Sequence, residues 1–180
     1  YGEWGIILGA TKGVGKAFCE RLAKEGMNVV MVGRREEKLK ELGEELKNTY
    51  EIDYKVVKAD FSLPDATDKI FAATENLDMG FMAYVACLHS FGKIQDTPWE
   101  KHEAMINVNV VTFMKCFYHY MKIFAAQDRG AVINVSSMTG ISSSPWNGQY
   151  GAGKAFILKM TEAVACETEK TNVDVEVITL

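Results

Sequence analysis

Six short apolar runs, each separated from the next by an amphipathic stretch, limit the folds open to this chain. The runs are Trp4–Leu8, Val29–Val32, Tyr54–Lys58, Met79–Ala86, Ala131–Ser136 and Val173–Ile178. Their length suits buried strands rather than helices. Between them, apolar residues recur with a period near 3.6, as at Ala17, Leu22 and Ala23 or at Leu39, Leu42 and Leu46. Strand and helix therefore alternate, which predicts an α/β fold: a doubly wound parallel sheet of Rossmann type, with helices on both faces and right-handed crossovers. A chain of 180 residues, 48% hydrophobic and 24% charged, can bury one sizeable core. With no repeat, linker or compositional break, residues 1–180 read as a single dinucleotide-binding catalytic domain.

Local signals place the helices. Gly26 stands where a left-handed cap would end the first one. Thr97-Pro98-Trp99-Glu100 predicts a helix start, with Thr97 as cap, Pro98 in the first turn and Glu100 closing a capping box. One long helix is expected from there to about Gln127, and a second from about Gln149 to Lys170. The chain stops at Leu180, directly after the sixth run, where the sheet would expose an apolar edge. A final strand and C-terminal segment are therefore expected to be absent from this chain.

The charge excludes several function classes. A net charge of −4, with no basic block beyond Arg34–Arg35, argues against a nucleic-acid partner. The apolar run Phe81–Leu88 is far too short to cross a bilayer. No signal peptide is visible, although the chain opens on Tyr1 rather than Met, so a few residues are expected to be missing there. A soluble cytoplasmic protein is the expectation. Cys19, Cys87, Cys116 and Cys166 form no CxxC pair, and His89, His102 and His119 do not complete a ligand pattern. Reduced, mostly buried thiols are expected, without a metal.

A glycine-rich turn follows the first run: Gly9-Ala10-Thr11-Lys12-Gly13-Val14-Gly15, leading into a helix. Glycines here allow a sharp turn and let a pyrophosphate approach a helix N-terminus, where free N–H groups and the helix dipole favour anions. The spacing G-x-x-x-G-x-G also occurs in plain strand–helix turns, but its position after a strand favours phosphate binding. At the end of the second run, where an acid would hold a ribose 2′-hydroxyl, the chain reads Gly33-Arg34-Arg35. Two guanidiniums can grip a 2′-phosphate, and Lys12 adds charge nearby. As mere solvated residues they would sit poorly at a helix start, where the dipole disfavours cations. The cofactor is therefore expected to be NADP(H). Asp60, ahead of Phe61, is placed either to accept from the adenine amino group or to serve as a loop cap.

Tyr150-Gly-Ala-Gly-Lys154 opens the last long helix, and residues four apart share a helical face. A free tyrosine has a pKa of about 10. A fixed cation nearby stabilises the phenolate and tunes it for acid–base work. Ser137, thirteen residues upstream, ends a strand at the carboxyl edge of the sheet, where open α/β sheets form their sites. It can donate to a substrate carbonyl.

Gly9, Gly13, Gly15, Asn109 in Asn107-Val108-Asn109, Ser137, Tyr150 and Lys154 together resemble the short-chain dehydrogenase/reductase family, in its order and over nearly the whole chain. The resemblance implies a tetrad of Asn109, Ser137, Tyr150 and Lys154. Tyr150 would be the acid/base, and Ser137 would polarise the carbonyl. Lys154 would lower the Tyr150 pKa and hold the nicotinamide ribose, and Asn109 would hold a water linking Lys154 to solvent. Cofactor contacts are then expected at Gly9, Thr11, Lys12, Gly13, Val14 and Gly15, and at Gly33, Arg34 and Arg35. Asp60, Phe61, Ala86, Tyr150 and Lys154 complete the set.

Two positions depart from the family pattern. Leu8 stands where a Thr usually precedes the first glycine, so Thr11 is expected to take over some cofactor contact. Tyr84-Val85-Ala86-Cys87 stands where Asn-Asn-Ala-Gly usually closes the fourth strand.

The runs Val85–Trp99 and Ser136–Tyr150 narrow the resemblance to NADP-dependent hydroxysteroid dehydrogenases acting at the 7β position of bile acids. This implies interconversion of ursodeoxycholate and 7-oxolithocholate. The substrate site is expected at Ser137 and Tyr150, lined by His89, Phe91, Met138, Thr139 and Trp146. For the first four of these lining residues, core packing is an equal alternative. Trp146 lies in a Ser/Pro/Asn/Gly loop with less to pack on. A reductase of another steroid position or of an acyl-chain ketone, and a non-catalytic NADP sensor, are the alternatives. The resemblance also implies a homodimer or homotetramer built on the two long helices.

Overall fold

A computed structural model describes all 180 residues, Tyr1–Leu180. The strands are β1 (Trp4–Leu8), β2 (Asn28–Gly33), β3 (Tyr54–Lys58), β4 (Met79–Tyr84), β5 (Gly130–Ser136) and β6 (Val173–Thr179). The helices are α1 (Gly13–Lys24), α2 (Glu36–Tyr50), α3 (Ala66–Thr74), α4 (Trp99–Ile106), α5 (Phe113–Gln127) and α6 (Gly148–Thr168). All six strands run parallel in the order β3-β2-β1-β4-β5-β6. The expected doubly wound Rossmann-type sheet is thus observed.

The chain winds outward from β1 in one direction and from β4 in the other, so a crevice opens between their carboxyl ends. β4 is buried along its whole length and β1 along all but its first residue, which is why both read as unbroken apolar runs. Alternate side chains feed two cores. Ile6, Leu8, Met82 and Tyr84 pack with Phe113, Phe117, Tyr120 and Phe124 on one face. Ile7, Met31 and Ala83 pack with Cys19, Leu39, Leu42 and Leu46 on the other.

Gly26 does adopt a left-handed conformation after α1, with φ +80°. The start of α4 differs from expectation. Pro98 is its cap, no side chain caps it, and the Thr97 hydroxyl donates instead to the Lys93 carbonyl at 3.1 Å. Pro98 cannot donate an N–H, and Thr97 has a nearer acceptor in the preceding 3₁₀ turn, Ile94–Asp96. The long helix ends at Gln127 as expected, but it is three pieces in one rod: α4, a π-helical segment Asn107–Thr112, and α5. The last helix ends at Thr168, slightly short of the expected Lys170. Of the four thiols only Cys19 and Cys116 are buried, whereas Cys87 and Cys166 are exposed, against the expectation of mostly buried cysteines. No helix is long and apolar enough to cross a membrane.

Candidate active site

The crevice at the end of β1 and β4 is a cleft of about 210 Å³. Gly9 turns at φ +103°, and a Cβ there would lie 2.7 Å from the Ala86 amide, so only glycine lets the turn pass this close to the end of β4. The Ala86 and Val85 amides donate to the Leu8 carbonyl at 2.7 and 2.9 Å, which fixes that approach. The first turn of α1 has no side-chain cap for its N–H groups, and at Gly13 a Cβ would meet open space.

The cleft walls bring together Gly9, Thr11, Lys12, Gly33, Arg34 and Arg35, and beyond them Asp60, Phe61 and Ala86. Gly13, Val14 and Gly15 lie beside this wall in the turn and first helical residues, while Tyr150 and Lys154 stand outside it. Neither Arg34, Arg35 nor Lys12 is in an ion pair. Asp60 shows both expected behaviours. One carboxylate oxygen accepts from the Ser62 amide at 3.0 Å and hydroxyl at 2.7 Å, as a loop cap, while the residue still lines the cleft. Burial opposes its ionisation, but the Ser62 hydrogen bonds and the Arg34 charge together hold its carboxyl below the ordinary value.

Ser62, Val85, Cys87, Leu88 and Val108 also line the cleft and were not anticipated. Cys87 and Val85 had a signal in the sequence, since they fall in the segment that departs from Asn-Asn-Ala-Gly. Val108 had none, because it depends on how the rod is threaded.

The π segment ties the cleft together. The Tyr84 hydroxyl donates to the Val108 carbonyl at 2.6 Å, the Asn107 amide donates to the Ser62 carbonyl at 3.2 Å, and the Thr112 hydroxyl donates to the Phe61 carbonyl at 2.8 Å. Asn109 accepts from the Leu88 amide at 3.0 Å and donates to the Leu88 carbonyl at 2.7 Å. Both ends of its carboxamide are thus committed to the backbone of the β4 loop.

Ser137, Tyr150 and Lys154 converge beside this cleft. Lys154 is 1% exposed, and its ammonium donates to the Val135 carbonyl at 2.6 Å. The Ser136 hydroxyl donates to the Lys154 carbonyl at 2.8 Å, which pins the first turns of α6 to the end of β5. The Lys154 nitrogen lies 5.8 Å from the centre of the Tyr150 ring. The Tyr150 hydroxyl lies against Ser137 and the Cys87 thiol.

Burial of this half-enclosed phenol raises its pKa, the Cys87 thiol raises it further, and the Ser137 hydrogen bond opposes both. The expected lowering by Lys154 is therefore not what this structure shows. The ammonium is itself disfavoured by burial, which lowers its pKa, and its proton is directed at Val135. Ser137 Oγ accepts from Thr139 Oγ1 at 3.1 Å and from the Thr139 amide at 3.4 Å, so Thr139 orients it.

Among the expected substrate-lining residues, His89 is exposed with its ring 5.8 Å from that of Tyr150, and Phe91 packs edge-on against it at 5.6 Å. Met138 is exposed beside Ser137. A cavity of about 960 Å³ lies between the loop after β4 and the start of α6. Trp146 is its only wall residue from the expected set; His89, Phe91, Met138 and Thr139 lie outside it. Ile94, Trp99, Met105, Ile106 and Pro145 line it instead. The two loops are tied by a hydrogen bond from the Gly92 amide to the Trp146 carbonyl at 2.9 Å, a pairing that no local sequence signal reports.

A family model described as short chain dehydrogenase matches residues 3–180. A 7beta-hydroxysteroid dehydrogenase of Mediterraneibacter gnavus is 99% identical over 180 residues, which are the whole of this chain and 68% of that protein. The 7beta-hydroxysteroid dehydrogenase of Collinsella aerofaciens is 82% identical over the same 180 residues, again 68% of its length. A solved structure described in terms of 7beta-hydroxysteroid dehydrogenase stereoselectivity superposes with a TM-score of 0.98 at 82% identity, covering 99% of this chain and 69% of that one.

Proposed function

The chain belongs to the short chain dehydrogenase family of oxidoreductases, and we propose that it interconverts a 7β-hydroxyl and a 7-ketone on bile acids with NADP(H). The 99% identity to a 7beta-hydroxysteroid dehydrogenase over the whole chain carries the substrate reading. The family fixes a nicotinamide cofactor. Arg34 and Arg35, exposed on the cleft wall with no ion-pair partner, support the 2′-phosphorylated form.

The residues present fit that cofactor. The uncapped start of α1 and the open space at Gly13 suit a pyrophosphate, and Asp60 is held ionised on the wall where an adenine amino group would lie. When bound, NADP(H) supplies the hydride to the ketone carbon or takes it from the alcohol.

The protein does the rest. Ser137, oriented by Thr139, donates to the carbonyl oxygen and polarises it. Tyr150, kept protonated at neutral pH by burial, delivers its proton to the oxygen as the alkoxide forms; in oxidation it accepts that proton. Lys154, fixed by Val135, holds a positive charge 5.8 Å from the centre of the phenol ring. Asn109 sets the β4 loop that carries Cys87 and Leu88.

A groove between α5 and α6, lined by Met114, Met121, Met160 and Val164 with exposed Tyr118, suits packing against a second copy of the chain. The two exposed free thiols suit a reducing compartment, the cytoplasm.

The test is NADPH formation by the full-length protein from NADP⁺ with ursodeoxycholate, beside its 7α epimer chenodeoxycholate. Turnover of the 7β alcohol alone is expected. Turnover of neither, with NADPH still bound, would keep the oxidoreductase and discard the bile acid.

A further inference from the structure

The large cavity has a charge pattern that the redox chemistry does not require. Its walls are mainly apolar, with Ile94, Trp99, Met105, Pro145 and Trp146 prominent. Lys93 carries the only full charge among its lining residues, and no carboxylate lies among them. Lys93 is exposed and takes part in no ion pair.

The cavity is also a constructed one. Gln149 donates to the His102 carbonyl at 2.7 Å, and the two His102 ring nitrogens face Gln149 Oε1 and, at 3.1 Å, the Ile94 carbonyl. His102 is thereby held by the wall and not offered to a ligand. The Lys93 backbone is held independently of its side chain, because its carbonyl accepts from the Thr97 hydroxyl and from the Asp96 amide, both at 3.1 Å. Asn147 is 6% exposed on the same wall, and its Oδ1 has no hydrogen-bond partner. A buried acceptor without a donor is a cost that a ligand hydroxyl or amide can relieve.

The cavity opens beside the reacting centre. Gln149 directly precedes Tyr150 and Trp146 lies four residues before it, and Ser90 follows His89, whose ring is 5.8 Å from the Tyr150 ring. Its volume of about 960 Å³ is ample for a rigid polycyclic body.

We propose that this cavity receives the end of the substrate remote from the reacting carbon, and that Lys93 selects substrates whose apolar body ends in an anion. The inference rests on the bile-acid reading above and assigns recognition of the side-chain carboxylate to Lys93. Asn147 supplies an acceptor for a hydroxyl or amide N–H of the same ligand. An exposed cation is screened by salt and water, so the discrimination is modest in size and weakens as ionic strength rises.

The experiment uses the full-length protein, as wild type, Lys93→Gln and Lys93→Arg, with ursodeoxycholate and its methyl ester. Binding is read from the fluorescence of the cavity tryptophans, Trp99 and Trp146, and turnover is read separately as NADPH formation. In the wild type the acid is expected to bind about 3–10-fold more tightly than the ester at low salt. Lys93→Gln is expected to abolish that preference by raising Kd and KM for the acid with kcat little changed, and Lys93→Arg to restore it. An acid-to-ester ratio that is the same in wild type and Lys93→Gln overturns the inference, whether or not turnover occurs. A Lys93-dependent ratio without turnover of either compound supports the anion site and overturns the 7β-hydroxysteroid reading instead.

Discussion

Asn109 and the Leu88 backbone form a reciprocal pair: the carboxamide oxygen takes the Leu88 N–H at 3.0 Å, and its nitrogen gives a hydrogen bond to the Leu88 carbonyl at 2.7 Å. Seen from the cleft, this is a strand-like pairing made by a side chain. It extends the order of β4 past Tyr84, to the residues that line the cleft. On the other side, a Cβ on Gly153 would lie 2.9 Å from the Asn109 Cβ, so α6 fits against the π segment only because Gly153 has no side chain.

Asn109→Ala leaves the Leu88 amide and carbonyl without protein partners in a half-buried place. The expected loss is about 1–3 kcal/mol of unfolding free energy, measured in urea, with weaker NADPH binding because Leu88 lines the cleft. A variant with wild-type stability and cofactor affinity would show that the pair is incidental.

Tyr84→Phe keeps the ring packed against Phe61 and Phe113 and removes only the hydroxyl that meets the Val108 carbonyl at 2.6 Å. A buried carbonyl loses its donor, at an expected cost of about 1–2 kcal/mol. Hydrogen exchange localised to Asn107–Thr112 checks that the loosened part is the π segment and not the sheet.

Removing the Arg34 side chain weakens NADPH by about 1.5–3 kcal/mol, the worth of a hydrogen bond to a charged group. NADH, which lacks the 2′-phosphate, is expected to bind as before. Isothermal titration with both nucleotides decides it, and an unaltered NADPH-to-NADH ratio would contradict the role.

Tyr150→Phe is expected to abolish turnover while cofactor binding persists, since the phenol oxygen, not the ring, handles the proton. The pH profile follows from the direction of its shift. Burial, then Cys87, raise the phenol above its ordinary value, so its protonated form, the donor needed for reduction, prevails at neutral pH. Alcohol oxidation needs the deprotonated form and climbs as the solution turns alkaline. Cys87→Ala removes one raising influence, so the oxidation limb is expected to move toward lower pH; a limb that stays in place or moves the other way would show that the thiol does not act on Tyr150.

The sheet was legible because each of its central strands is buried on both faces and must be apolar throughout. The glycine turn was legible because a close backbone approach demands glycine directly after the strand, and the Arg pair falls on the cleft wall because it directly follows β2. Less was visible where geometry depends on distant partners. Thr97 looked like a cap by local spacing, yet its hydroxyl is claimed by Lys93. The spacing of Tyr150 and Lys154 placed them on one face, but burial and the Val135 carbonyl, neither encoded in that spacing, decide how the two groups titrate. The cavity walls escaped notice because Ile94 and Pro145 come from two segments joined by a single backbone hydrogen bond, with Trp99 added from the start of α4.

The π segment also governs how this chain can change. An α-helix advances about 100° per residue, and the rod from Trp99 to Gln127 must aim Asn107, Asn109 and Thr112 at the cleft, then aim Phe113, Phe117, Tyr120 and Phe124 at the core. The wide turn resets the angular phase between these two assignments. The length of the rod is therefore locked by both assignments. Deleting a residue within Asn107–Thr112 would swing one half or the other out of alignment.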